Sequence, residues 1–366
     1  VKKIMRRAAA ALTALLLLTG CAGTEGEYYT TRPHSEREGL ETDVRAGGDI
    51  TSYYTLKGAL LNMINMGLNA DVFRITSYNG DLEADLLAVI QEITTTEPMG
   101  IYGVSSITAD RTRVLSYQDV SVQILYKRPP SEMQAVVNIS GRYDLENRLN
   151  AMLRSFSGAA AYYITGGIGG RQEIEQMIYA AWMRSGSRAV GLTRTNVEFF
   201  PEEVDNCIVE ITADYAGIPE ELRSMSSFIL REAAAAAMGC RAEEKLDRLM
   251  FINDWLQENV EYDQSAQRVV NETMAGQPKT DIYSAFGVFD RHVGAQSGLV
   301  LAASVLCDAL SLEHTVRTGV LGEDVYSWIT LTIDGATYVY DVTAVQNGRT
   351  AWLYSLDAAK DIFIEW

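Results

Sequence analysis

Three histidines and four cysteines are all that the 366 residues contain of the side chains that most often hold metals or do nucleophilic work. The cysteines are too few and too widely spaced for a disulfide-dense scaffold, and no histidine stands near them in sequence, so no zinc site is indicated. No cofactor is indicated either. Basic residues are also in deficit: 31 Lys and Arg stand against 48 Asp and Glu, a formal net charge of −17. That balance excludes nucleic acid as a partner, because such binding needs a basic patch to displace counterions. No uninterrupted apolar run reaches the ~18 residues of a membrane-spanning helix. With 47% hydrophobic residues, the chain is neither disordered nor collagen-like and is long enough for two or three domains.

What is present begins with an address. Lys2, Lys3, Arg6 and Arg7 precede an apolar stretch from Ala8 to Leu18, and Leu18-Thr19-Gly20-Cys21 follows. This resembles a bacterial lipoprotein signal, in which the Cys21 thiol takes a lipid and residues 1–20 are removed. Loss of those four basic residues would leave 27 basic and 48 acidic groups, a formal −21. The expectation is an extracytoplasmic protein held to a bacterial membrane by lipid on Cys21. Residues 21–50 are polar, carry Pro33 and lack apolar periodicity, which predicts a flexible tether.

The N-terminal half reads as two copies of one unit. At a shift of 89 residues, Leu60, Met63 and Ile64 fall on Leu149, Met152 and Leu153. Phe73 and Ile75 fall likewise on Tyr162 and Ile164, and Val120, Val122 and Tyr126 on Val209, Ile211 and Tyr215. Helical and alternating spacings predict an αβαββ order in each copy, residues 51–130 and 141–217 within an α+β region 51–217. Gly166-Gly167-Ile168-Gly169-Gly170 lies between a strand and a helix. It lacks the Lys-Ser/Thr of a phosphate loop and reads as a turn that needs positive φ.

From about residue 218 the pattern changes. Glu244-Lys245, Ile252-Asn253-Asp254-Trp255-Leu256 and Asn259-Val260-Glu261-Tyr262-Asp263 are followed by Tyr283-Ser284-Ala285-Phe286-Gly287 and Gly294-Ala295-Gln296-Ser297-Gly298-Leu299. Then come Tyr326-Ser327-Trp328-Ile329 and Asp334-Gly335 through Tyr340-Asp341-Val342-Thr343. In this order the segments, over about residues 240–345, resemble a bacterial transglutaminase-like domain of the papain-like cysteine peptidase superfamily, expected here to occupy residues 218–366. The resemblance implies an α+β fold in which a Cys at a helix N-terminus, a His and an Asp form the catalytic set. Gln296 occupies the Cys position and Tyr326 the His position; Asp341 matches the Asp. Gln offers no nucleophile, and a phenol with a reference pKa of about 10 is a poor base near neutral pH. The expectation is a pseudoenzyme, with Gln296, Ser297, Tyr326, Trp328 and Asp341 lining a groove that binds a cell-wall peptide, a glycan or a protein.

Two rivals stand beside it. One is a hydrolase or acyltransferase on cell-wall peptides that uses another constellation, such as Ser297 with His292. The other is a purely structural envelope protein. Cys307 lies eleven residues beyond Gln296, about 16 Å along a helix, too far to replace the missing nucleophile. Cys207, Cys240 and Cys307 read as small buried thiols or one disulfide, His34 falls in the tether, and His314 opens a strand.

Overall fold

The computed structural model describes residues 49–166, 169–202, 205–266 and 281–366. The expected signal, Cys21, His34 and nearly all of the tether lie outside these residues. So do residues 167 and 168 of the glycine run. Of its three described members, Gly166 and Gly169 have φ of +80° and +95°, and Gly170 has φ of −81°. Among the described residues, no helix is long and apolar enough to cross a membrane.

The chain is α+β. It starts with α1 (Tyr53–Met66), β1 (Ala70–Ile75), α2 (Leu82–Thr95), α3 (Pro98–Gly103), β2 (Val104–Val114) and β3 (Tyr117–Tyr126). Ser52 and Thr55 form a capping box at the start of α1, and the Asp81 carboxylate caps α2 by accepting from the N–H groups of Glu83 and Ala84. Leu56, Leu60, Met63 and Ile64 of α1 share a buried face with Leu86, Val89 and Ile93 of α2. That face covers an antiparallel sheet of order β1-β3-β2. After α4 (Pro130–Gln134) and β4 (Val137–Ile139) follow α5 (Arg142–Ser155), β5 (Ala159–Thr165), α6 (Arg171–Met183), a 3₁₀ turn at Gly186–Arg188, β6 (Leu192–Phe200) and β7 (Asn206–Tyr215). Their sheet runs β4-β5-β7-β6, with β4 parallel to β5. Phe73 faces Val120 in the first sheet and Tyr162 faces Val209 in the second. Both hairpins have a register irregularity near their start, between Val104 and Ser106 and between Leu192 and Arg194.

The last part contains α7 (Pro219–Ala237), α8 (Lys245–Asn259), β8 (Glu261–Tyr262), a 3₁₀ turn at Asp281–Tyr283, α9 (Ala285–Arg291), β9 (Val293–Gly294) and α10 (Gln296–Ala309). Then come β10 (His314–Leu321), β11 (Asp324–Ile333), β12 (Ala336–Tyr340), β13 (Leu353–Ser355), α11 (Leu356–Ala359) and β14 (Phe363–Glu365). Five of these strands form an antiparallel sheet of order β13-β12-β11-β10-β14, and β8 pairs with β9 in parallel. Every residue of α10 from Gln296 to Cys307 is buried, the pattern of a helix surrounded by protein. It packs against α7, α8 and α9 and against β10 and β11.

The hydrophobic cores do not follow the boundary between residues 217 and 218. Residues 50–133 have a core of their own. A second core runs without a break from Ile139 to Val342, so the β4–β7 sheet and its helices share an interior with the C-terminal part. A polar latch joins the first unit to the second sheet. Arg128 donates to both carboxylate oxygens of Glu210 at 2.9 and 2.7 Å, and its guanidinium lies 4.3 Å from the Tyr102 ring centroid.

Candidate functional site

Gln296 is the first residue of α10, preceded by Ala295, whose side chain cannot cap the helix. Its amide Nε2 donates to the Ser327 carbonyl oxygen at 2.5 Å, which brings the helix N-terminus against β11 beside Tyr326. Ser297 does not cap the helix. Its hydroxyl donates to the Tyr283 carbonyl at 3.1 Å, and its 3% exposure leaves it enclosed. His292 ends α9 in the left-handed conformation (φ 56°) and is exposed. No hydrogen bond joins it to Ser297 among the described residues.

Tyr326 and Asp341 meet at the end of β12. The Tyr326 hydroxyl donates to Asp341 Oδ1 at 2.7 Å. It accepts from Arg349 Nη2 at 2.8 Å and contacts Thr343 Oγ1 at 2.6 Å. A phenol has one proton and two lone pairs, so these three partners use its whole capacity and leave none to accept a proton from a substrate. Arg349 Nη2 also lies 2.6 Å from Asp341 Oδ2. Asp341 therefore holds Tyr326, while Trp328 packs against the Phe363 ring.

Burial is the larger influence on the Asp341 carboxyl. It raises the pKa above the ordinary aspartate value, although the Tyr326 hydrogen bond and the Arg349 charge both pull it down. Burial likewise drives the Tyr326 phenol well above its ordinary value. A carboxyl whose folded pKa is raised contributes stability that is complete below its unfolded pKa and is lost as pH rises through the folded value. Asp341→Asn removes that loss. The variant is expected to gain on wild type in urea unfolding free energy from about pH 4 to pH 7. Parallel stability profiles, or a gain toward acid, would contradict this account of Asp341.

The opposite side of this constellation is closed by the chain itself. Tyr326, Trp328 and Val339 form a small cluster with Ala359 and Phe363. The Phe363 ring centroid lies 5.3 Å from that of Trp328 and 6.3 Å from that of Tyr326. β14 reaches this position by pairing with the edge of β10, Gly319 opposite Glu365. A Cβ at Gly319 would lie 2.0 Å from the Ile364 carbonyl oxygen, so only glycine permits the approach. Tyr326 and Asp341 are bonded to each other, Gln296 reaches only the backbone beside Tyr326, and Ser297 is bonded to Tyr283; with Trp328, all are 0–3% exposed. They are enclosed rather than displayed, and Phe363 covers Trp328 and Tyr326.

The remaining sequence candidates are separate from this site. Cys207, Cys240 and Cys307 are free thiols, with Cys307 buried and its pKa pushed up by burial. Among the described residues, no group of three or more His, Cys, Asp or Glu side chains could hold a metal ion. The sequence pattern did not reveal a cavity of about 700 Å³ flanked by the ends of α5 and α6, by α7, by α10 and by the start of β10. Four arginines, Arg154, Arg184, Arg188 and Arg223, line it, with Ser304 and His314. Their common feature is solvent-facing charge on separate elements, which carries no periodic signal.

No protein-family model and no curated protein matches the chain. A solved structure of a TGase is similar at 14% identity and a TM-score of 0.29, covering 66% of this chain. The similarity spans 65% of the length of that protein.

Proposed function

We propose that residues 218–366 form a transglutaminase-like domain that has lost its acyl-transfer chemistry, and that the whole chain is a lipid-anchored envelope protein that binds rather than cuts. The observation that carries this reading is Gln296. It stands at the N-terminus of the buried helix, where the family has its thiolate, and donates to the backbone beside Tyr326. A neutral amide there cannot attack a carbonyl, and the saturated Tyr326 hydroxyl cannot act as its base. The 89-residue offset shared by the strand pairings of Phe73 with Val120 and Tyr162 with Val209 supports reading the two N-terminal units as copies. The enclosure of Tyr326 and Trp328 beneath Phe363 favours a scaffold role for that face, with a wall peptide, glycan or protein partner engaged elsewhere on the chain.

The residue matching is tested by Gln296→Cys combined with Tyr326→His. A thiol at this helix N-terminus, with an imidazole beside Asp341, is expected to ionise well below the ordinary cysteine value of about 8.5. Thiolate absorbance, titrated as a difference from the parent protein, reads this without any reagent entering the site. A value raised above the ordinary one, as at buried Cys307, would sink the matching. The binding role is tested by sedimentation with purified cell-wall sacculi, where wild type is expected in the pellet. A chain that stays in the supernatant leaves the scaffold reading in its place.

A further inference from the structure

We propose that the arginine-lined cavity is a binding site for a phosphate-bearing anion, with a diphosphate or a phosphate ester as its chemical class. Its volume of about 700 Å³ is that of a small-molecule site. Four arginine residues line it, and Asp308 is the one acidic residue among the described lining residues. This concentration of positive charge occurs in a chain of net charge −17.

The arginines come from three places. Arg154 lies in the last turn of α5, Arg184 caps the end of α6, Arg188 ends the 3₁₀ turn that follows, and Arg223 is in the first half of α7. Neither Arg154 nor Arg188 has a carboxylate partner among the described residues. Arg188 Nη1 donates to the Arg154 backbone carbonyl at 2.8 Å, which fixes one edge of its guanidinium without neutralising it. Arg184 lies 3.7 Å from Glu146, and Arg223 bonds Glu220 at 3.1 Å; neither of these acids lines the cavity. Like charges gathered around one concavity repel each other, and a multiply charged anion relieves that repulsion.

Hydroxyl groups complete the lining. Ser185, Ser226 and Ser304 are buried at 4, 6 and 5% exposure. Ser226 bonds Ser187 at 3.0 Å. Ser304 Oγ lies 2.7 Å from His314 Nε2, and His314 Nδ1 lies 3.0 Å from the Leu312 carbonyl. A carbonyl can only accept, so the ring proton is assigned to Nδ1, and Ser304 then donates to Nε2. The side chains are thereby held in place around the space. Phosphate suits this lining better than carboxylate does. Arginine forks bind its oxygens in bidentate pairs, and a diphosphate offers enough oxygens to occupy several forks together.

Isothermal titration of the purified chain with inorganic pyrophosphate tests the proposal. The expected result is saturable one-to-one binding that weakens as salt rises. Arg154→Glu combined with Arg223→Glu is expected to weaken it by about tenfold or more. Both side chains are solvent-facing, and an unchanged melting temperature would confirm that the variant folds. Arg113→Glu, on β2 and outside the cavity, is expected to bind as wild type does. The absence of saturable heat at concentrations up to about 5 mM pyrophosphate overturns the site, as does equal binding by the double variant. Two further arms distinguish the sources of phosphate. Competition by a sugar phosphate monoester points to a soluble ester. Arginine-dependent flotation with phosphatidylglycerol vesicles points to a lipid headgroup.

Discussion

Arg349→Met is expected to destabilise the protein by about 3 kcal/mol near neutral pH, because it leaves a carboxylate buried without its counter-charge. Asp341 is completely buried, and its partner Arg349 keeps 31% of its side chain exposed. The methionine retains much of the arginine stem, so the loss is one of charge and of the hydrogen bond to the Tyr326 hydroxyl. Two features make the expectation specific. The cost should shrink toward pH 4, because removing the cation raises the Asp341 pKa further and protonation then relieves the burial. Adding Asp341→Asn should recover much of the loss, since an uncharged amide no longer needs the guanidinium. Urea unfolding of wild type, both single variants and the double variant at two pH values measures the coupling. A double variant that is additive, at a cost independent of pH, would show that Arg349 acts through packing alone.

Gly298→Ala is expected to destabilise the protein by about 3 kcal/mol, against the sign that helix propensity predicts. At the third position of α10, alanine gains about 1 kcal/mol over glycine in propensity. The neighbours reverse the outcome. A Cβ at residue 298 would stand 2.2 Å from the Ile282 carbonyl oxygen and 3.1 Å from that of Ser284. Both are backbone atoms and cannot swing aside. The Ile282 oxygen is also held by the Ala295 N–H at 2.8 Å, so moving it would loosen the start of the helix that carries Gln296. Thermal and urea unfolding of the variant measure the result. A neutral or stabilising effect would mean that the 281–284 turn is free to retreat.

The elements of the N-terminal half were legible because their signals are local. Alternation in Val120-Val122-Ile124 fixes which face of β3 is buried, and the spacing of Leu56, Leu60, Met63 and Ile64 fixes the inner face of α1. The nearness of Tyr326 to Asp341 was expected from motif order rather than from any periodicity. Their enclosure was not. For Tyr326 it depends on Phe363 and on the absence of a side chain at Gly319, and the short strand β14 has too few residues to announce an alternating pattern. The arginine cavity was illegible for a related reason. Arg154, Arg188 and Arg223 each read as ordinary surface charge on a different element, and Ser304 reads as one polar residue in an apolar helix. Only tertiary folding sets the serine against His314, ten residues later and across a turn.

The existence of two interiors has a thermodynamic consequence. Among the described residues, the core of residues 50–133 shares no buried apolar side chain with the core that begins at Ile139. Cooperativity in folding is transmitted chiefly through shared packing, so it weakens where the chain passes between them. The Arg128–Glu210 pair, with Tyr102 against Phe200, is a principal tie across that gap. The first unit can therefore open as a separate foldon while α10 and its surrounding sheet remain intact. Amides of β1 to β3 would then exchange through a sub-global opening, and those of α10 only when the larger core unfolds. No single unfolding free energy describes such a chain. The energies assigned above to Arg349 and Gly298 belong to the C-terminal part and not to the first unit.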